Sequence, residues 1–172
     1  SGATGHRLTD TARGVTKSLE SNSTAAEATE ATGLTAFGTT GFTIGADADY
    51  NTSAATYASW TFRKQPKFFD VVTFTGTGST LTVNHNLGSV PGMIIVKGTS
   101  VVSNWYVYHR SLGATKYLRL NATDASVTSS SFWDNTEPTS TTFTIGNNAN
   151  INDPGQTYVA YLFAHDAGGF GL

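Results

Sequence analysis

One stretch of this sequence occurs twice. Residues 42–62 read FTIGADADYNTSAATYASWTF, residues 143–163 read FTIGNNANINDPGQTYVAYLF, and the two align without a gap at an offset of 101. Nine of the 21 aligned positions are identical, including all of F-T-I-G and the ends of a T-Y-x-x-x-x-F pattern. A chain with such an internal repeat is predicted to contain two related structural units.

The repeat continues towards the N-terminus but is unequal. Residues 14–22 (GVTKSLESN) and 113–121 (GATKYLRLN) share Gly, Thr, Lys, Leu and Asn at an offset of 99. Only the second unit has a front half, which begins with FFDVVTFTGTG near residue 68. The sequence therefore predicts a partial β-unit at 1–63 that packs on a complete unit at 68–172, with the charged, proline-containing connector 64–67 between them.

The composition favours strands in both units. The chain has 29 Thr, 16 Ser and 18 Gly, whereas only 13% of its residues are charged. Thr, Val and aromatic residues suit a pleated, half-buried surface. We predict an all-β protein, an antiparallel β-sandwich of jelly-roll or lectin-like type. The expected strands are 69–75, 80–84, 93–97, 102–109 and 116–121, together with both copies of the T-Y-x-x-x-x-F segment. Residues 23–31 are the one stretch whose composition permits a short surface helix.

Charge and hydropathy exclude several classes of function. The net charge of −2 and the pI of about 6.0 give no electrostatic footprint for nucleic acid. No apolar run approaches the roughly 18 residues of a membrane-spanning helix, so membrane insertion is not expected. Because the chain has no cysteine, disulfides and thiolate metal sites are excluded.

The polar loop after the first F-T-I-G is a candidate metal site. Asp47, Asp49 and Asn51 alternate along this loop, and such oxygen ligands suit Ca²⁺. The loop lacks the Gly and Glu that an EF-hand needs, and the second copy carries asparagines at the equivalent places. The alternative is a turn that uses Asp and Asn for its geometry, with no cofactor at all.

Aromatic residues beside an acid form a candidate ligand site. Tyr106 and Tyr108 lie on the opposite face of a predicted strand from Trp105, which leaves open that one of the two sets is exposed. With Trp133 and Asp134 they could bind a sugar by stacking and hydrogen bonding; the alternative is that the rings form the core.

Catalytic patterns in the sequence are weak. Asp134 and Glu137 are close enough in sequence to suggest the carboxylate pair of a glycosidase. Ser111 lies near His109, but no G-x-S-x-G nucleophile elbow is present. We therefore expect no enzymatic activity.

Three motifs in order carry a family resemblance. FTGTGSTLTVNHNLGSVPGMIIVK, NWYVYHRSLGATKYLRLN and PTSTTFTIG with the later TYVAYLFAHDAGGFG resemble a repeat module of large bacteriophage virion proteins, many from marine phages. Such modules often lie beside concanavalin-like lectin domains in tail-fibre or surface-fibre proteins. The resemblance implies a structural or adhesive part of the virion and supplies no catalytic residues.

The expected function is surface presentation. On this interpretation the module sits on the virion surface as a homo-oligomer and holds its loops against a host surface glycan or against neighbouring virion proteins. The alternatives are a capsid decoration or assembly protein without a receptor, a fibre subunit that exchanges a strand with its neighbour, and a polysaccharide depolymerase.

Overall fold

The computed structural model of the chain describes residues 5–165. The final part of the AHDAGGFG motif, residues 166–171, lies outside the described residues. The fold is an all-β antiparallel sandwich, as predicted. Its strands are β1 Arg7–Leu8, β2 Lys17–Glu20, β3 Ala28–Thr29, β4 Leu34–Phe37, β5 Phe42–Ile44, β6 Phe69–Thr75, β7 Leu81–Asn84, β8 Pro91–Gly98, β9 Tyr106–His109, β10 Lys116–Arg119, β11 Val127–Thr128, β12 Thr142–Ile145 and β13 Thr157–Ala164. Three single-turn helices are α1 Ala48–Asn51, α2 Ser130–Trp133 and α3 Ala149–Asn152.

A six-stranded antiparallel sheet is the centre of the molecule. Its order is β11-β10-β9-β8-β13-β6. The long strand β13 pairs with β6 on one side and with β8 on the other, so that both of its edges are used. The remaining strands form a three-stranded sheet β1-β2-β3 and the pairs β7-β12 and β4-β5. Among residues 5–165, no helix is long and apolar enough to cross a membrane.

Both faces of the central sheet are covered by apolar side chains. On one face, Phe143 and Ile145 of β12 join Trp133 of α2 in the larger core cluster. On the other face, Leu19 of β2 packs with Trp105 and other central-sheet residues in a second cluster. Burying one such side chain stabilises the fold by about 1.5–3 kcal/mol, so both layers contribute substantially to stability.

Polar contacts join the first unit to the second. The indole Nε1 of Trp105 donates hydrogen bonds to the carbonyls of Glu20 and Ser23, each at 3.0 Å. The Tyr161 hydroxyl of β13 donates to Asp10 Oδ2 at 2.7 Å, and Arg13 Nε donates to the same oxygen at 2.6 Å. Burial raises the pKa of Tyr161, so this hydroxyl stays protonated and continues to donate. The first unit is therefore fixed to the central sheet by directed bonds as well as by apolar packing.

The two units have the same strand register. In the first, Arg7 pairs with Glu20 and Leu8 with Leu19. Adding 99 to each number gives the observed pairs of β9 and β10, namely Tyr106 with Arg119 and Val107 with Leu118. The pairs of β2 with β3 recur between β10 and β11 in the same way. The sequence repeat thus corresponds to a repeated three-stranded sheet.

The glycine of F-T-I-G is explained by close packing. A Cβ on Gly45 would lie 2.4 Å from the carbonyl oxygen of Thr32, and a Cβ on Gly146 would lie 2.3 Å from that of Ser131. Thr32 and Ser131 are equivalent residues at the offset of 99. Any side chain here would clash with backbone, so both units need glycine.

Two of the secondary-structure predictions are wrong. Residues 23–31 contain strand β3 instead of a helix, because the segment has little apolar surface to bury as a helix and Ala28–Thr29 pairs with β2. The first T-Y-x-x-x-x-F segment, residues 56–62, belongs to no strand, whereas its second copy lies in β13. The strand predicted at 69–75 is confirmed in full.

Candidate interaction surface

The predicted ligand-binding aromatics lie in the core. Tyr106, Tyr108 and Trp133 are all buried in the larger core cluster, and Trp105 is buried on the opposite face. The interpretation of these rings as an exposed ligand site is therefore wrong, and the alternative that they form the core is confirmed, because the central sheet is covered on both faces. These rings cannot stack on a sugar at the surface.

The acids beside these rings have structural partners. Asp134 is exposed, follows α2 in a left-handed conformation and accepts a hydrogen bond from Thr80 Oγ1 at 3.1 Å. The two oxygens of Glu137 accept from the Tyr108 hydroxyl and from the backbone N–H of Ala114. Burial, with the Glu137 contact, raises the pKa of Tyr108, so this phenol is a stable donor. Asp134 is thus exposed to solvent while the three rings are buried, and Glu137 fixes the loop that contains Ala114.

The histidine near Ser111 also has a local role. His109 Nδ1 accepts a hydrogen bond from the backbone N–H of Ser111 at 3.2 Å, within the turn that follows β9. A side-chain-to-backbone hydrogen bond between residues two apart stabilises a turn. The Ser111 atom that contacts His109 is thus its backbone nitrogen and not its hydroxyl.

The candidate calcium residues build a capped turn. Asp47 is the N-cap of α1 and accepts from the backbone N–H of Asp49 at 2.9 Å, while Asn51 Nδ2 donates to the Gly45 carbonyl at 3.0 Å. The carboxylate of Asp49 forms an ion pair with Arg7. In the part of the chain that the structure describes, no three His, Cys, Asp or Glu side chains are grouped as a metal site requires.

The second copy shows that this turn needs no charge. Asn148 Oδ1 accepts from the backbone N–H of Asn150 at 3.0 Å, and Asn152 Nδ2 donates to the Gly146 carbonyl at 2.6 Å. These bonds repeat those of the first copy with neutral side chains. We therefore assign Asp47 and Asn51 to turn geometry.

The first unit carries a different set of exposed aromatic residues, which are together called the first-repeat surface. It consists of Phe37, Phe42, Tyr57, Trp60 and Phe62, which are 38%, 42%, 48%, 85% and 48% exposed. Three of their aligned equivalents in the second unit are buried, since Phe143 is 1%, Tyr158 0% and Tyr161 6% exposed, and a fourth, Phe163, is half-buried. The same sequence pattern is thus core in one unit and surface in the other.

The absence of neighbouring strands explains this difference. In the second unit, residues 157–163 lie between β6 and β8. The first unit has no equivalent of either strand, because its front half is missing. Among the described residues, none forms a backbone–backbone hydrogen bond with residues 56–63. The segment therefore has the side-chain pattern of β13 without its ladder.

The local turn before this segment is retained. The Tyr57 hydroxyl accepts from the backbone N–H of Thr52 at 2.9 Å and donates to the Ala48 carbonyl at 3.1 Å. Tyr158 makes the equivalent contacts with Asp153 and Ala149 at 2.9 and 3.4 Å. The turn is thus the same in both copies, whereas the strand pairing is found only in the second. The first segment still contacts the central sheet through the Phe62 ring, whose centroid lies 5.7 Å from those of Phe69 and Phe163.

Comparison with known proteins places the whole chain in one family. A family model described as "Domain of unknown function (DUF7483)" matches residues 1–171. The chain belongs to the DUF7483 family. The DUF7483 match spans the partial and the complete unit together, so the unequal repeat lies within a single family model. No curated protein and no solved structure matches the chain.

The first-repeat surface was missed from sequence because its residues have a core pattern. Trp60 and Phe62 alternate with polar residues as a half-buried strand does. The available signal was the missing front half, which removes both strands that would pair with this segment. A strand pattern without neighbours predicts an exposed apolar segment.

Proposed function

We propose that the protein is a non-catalytic structural module that assembles with copies of itself in a bacteriophage particle, on the particle surface. The observation that carries the assembly part is the first-repeat surface, since Trp60 is 85% exposed where its equivalent Tyr161 is buried. Large exposed apolar patches mark protein–protein contacts. The phage part of the proposal is supported by the sequence resemblance alone.

The energetics favour an occupied surface. An aromatic side chain can bury about 150–250 Å². At about 25 cal/mol per Å², burying Trp60 and Phe42 in an interface would contribute several kcal/mol before the entropy of association is subtracted. Exposed aromatic residues beside an unpaired segment are otherwise an aggregation hazard.

Assembly is favoured over binding of a host glycan. The residues proposed to stack on a sugar, Tyr106, Tyr108 and Trp133, are part of the core. The first-repeat surface is instead apolar and lies where the unit is incomplete. Decoration proteins and strand-exchanging fibre subunits share this requirement for an interface, so both remain within the proposal.

Sedimentation velocity over a concentration series tests the proposal. The wild-type chain is expected to associate reversibly, and Trp60→Ser is expected to weaken association about 30-fold, the effect of losing about 2 kcal/mol at an interface. Val102→Ser is the matched control, because Val102 is 69% exposed and lies outside the first-repeat surface. A wild-type chain that stays monomeric at all concentrations, or equal association of all three proteins, would contradict the proposal.

A further inference from the structure

Strand β6 is the edge of the central sheet, and its outer side is only partly used. Phe69 exchanges two backbone hydrogen bonds with Gln65, at 2.9 and 3.1 Å. At the next outward position, the Val71 N–H donates to Asp70 Oδ1 at 2.9 Å and the Val71 carbonyl accepts from Lys64 Nζ at 3.2 Å.

The rest of this edge is open. Outward-pointing backbone groups alternate along a strand, so Thr73 and Thr75 come next after Val71. Among residues 5–165, no group outside the sheet forms a hydrogen bond with the backbone of either threonine. The structure therefore contains an unpaired edge at 73–75 and an unpaired strand-like segment at 56–63.

The existing contacts define a register between these two segments. Gln65 pairs with Phe69 in antiparallel fashion, and Lys64 forms an ion pair with Asp70 at 2.8 Å. Both contacts fit one antiparallel ladder, since the two residue numbers add to 134 in each case. Continuing this ladder would place residues 59–63 along residues 71–75.

The side chains match in this register. Phe62 would lie opposite Val72 and Trp60 opposite Phe74, on the face of the larger core cluster, against which Val72 and Phe74 are only partly buried. In the single chain the Phe62 ring packs instead on Phe69 and Phe163 of the second cluster, so pairing moves this ring to the other face of the sheet. Directly opposite residues of an antiparallel pair have their side chains on the same face and interact. The ladder would therefore cover Trp60, which is the most exposed aromatic residue among residues 5–165, with apolar partners.

The other face of the ladder matches as well. Thr61 would lie opposite Thr73 and Ser59 opposite Thr75, and both threonines are exposed. Polar side chains thus meet polar side chains on the face that carries Phe69 and Val71, at the end of β6 where that face is exposed. A shift of the ladder by one residue would reverse every one of these pairings.

N-terminal to Lys64, the described residues do not follow β6. Each chain therefore has both a strand-like segment without a ladder and a strand edge that could pair with such a segment. A second copy offers both in the same register, and the exchange would be symmetric about a two-fold axis. We propose that residues 58–63 pair with β6 of a second copy, which extends each central sheet to seven strands. On pairing, the backbone N–H and carbonyl of Arg63 take over the hydrogen bonds that the Lys64 and Asp70 side chains make with the Val71 backbone.

This inference rests on the proposed function, because it specifies how the copies associate. Disulfide trapping can test it cleanly, since the chain contains no cysteine. A tagged Thr61→Cys chain is mixed with an untagged Thr73→Cys chain under mild oxidation. Residues opposite each other on paired strands have Cα atoms about 5.5 Å apart, within disulfide range. The control replaces Thr73→Cys by Thr75→Cys, two residues out of register.

Backbone substitutions separate strand pairing from side-chain contact. Thr61→Pro removes one backbone N–H but keeps Trp60 and Phe62, whereas Thr61→Ala keeps the N–H. The position tolerates proline in the single chain because its backbone makes no hydrogen bond with another described backbone group. We expect Thr61→Pro to weaken association at least tenfold and Thr61→Ala to leave it within about twofold.

The outcomes distinguish this inference from the proposed function. Several-fold more mixed disulfide with Thr73→Cys than with Thr75→Cys, together with the proline effect, supports exchange between copies. A Thr61→Cys/Thr73→Cys double variant that crosslinks within one chain at high dilution, while the mixed single variants do not, would show that the hairpin closes within a chain and would overturn the inference. Association that persists in Thr61→Pro without trapping would also overturn it, but would leave assembly standing. A wild-type chain that stays monomeric at all concentrations would overturn both the proposed assembly and the strand exchange.

Discussion

Lys97 provides a quantitative test of how the two units are joined. Its side chain is fully buried in β8, and its ammonium group donates to the carbonyls of Thr24 and Gly98 at 3.3 and 2.9 Å and to Ser103 Oγ at 3.4 Å. All three acceptors are uncharged. Burial therefore lowers the pKa of Lys97 from 10.5 to about 8.

The sign of the effect follows from proton linkage. The lysine binds its proton more weakly in the folded state, so the unfolded state holds more protons between pH 8 and 10.5, and stability rises with pH in that range. The difference in pKa corresponds to about 3.4 kcal/mol at full effect. About 2 kcal/mol of this should be recovered between pH 7 and pH 9.5.

Urea denaturation of the wild type and of Lys97→Met at both pH values measures this change. The methionine is similar in size and cannot titrate, so other ionisable groups cancel in the comparison. The unfolding free energy of the wild type relative to the variant should rise by about 2 kcal/mol from pH 7 to 9.5. Readings stop at 9.5, because above pH 10 the raised pKa values of Tyr108 and Tyr161 lower the stability of both proteins. A constant difference, or a fall, would refute the argument.

Two further predictions concern the repeated turn and the joint between the units. Gly146→Ala should destabilise the fold by about 1–3 kcal/mol in thermal melts, because its Cβ would lie 2.3 Å from a backbone oxygen. Gly41→Ala, whose Cβ would have nothing within 4 Å, should be nearly neutral, and equal melting temperatures of the two variants would contradict this prediction. Asp10→Asn should cost about 3 kcal/mol because it leaves the buried Arg13 without its closest carboxylate, while Asp124→Asn, at an exposed pair with Arg119, should change stability by less than about 1 kcal/mol in urea titrations. Similar losses in both variants would show that the Asp10 pair has no special weight.

Sequence reasoning predicted local features well where local chemistry decides them. The alternating pattern at 69–75 is strand β6 with the predicted bounds. The offset of 99 predicted two related units, and the strand registers agree with it residue by residue. Gly45 and Gly146 are shared because equivalent backbone oxygens, those of Thr32 and Ser131, lie next to them.

The candidate sites were harder to predict because a residue's exposure depends on what covers it. Alternation places Trp105, the residue before β9, and Tyr106 of β9 on opposite faces of the sheet, but it does not say that both faces are covered. The carboxylates of Asp47 and Asp49 have the spacing of cation ligands, yet an N-cap and an ion pair with Arg7 use them. These partners are distant in sequence and were not foreseeable from the loop itself.

By itself the sequence determined that the chain is a β protein made of an unequal repeat, because strand propensity, turn residues and self-similarity are local properties. Only the tertiary structure decided what each copy of the repeat does. Residues 157–163 became the central strand because β6 and β8 flank them, and residues 56–62, with the same pattern, stayed without a ladder because the first unit has no equivalent of these two strands. A β-strand is completed by the backbone groups of its neighbours, so its fate depends on strands elsewhere in the fold.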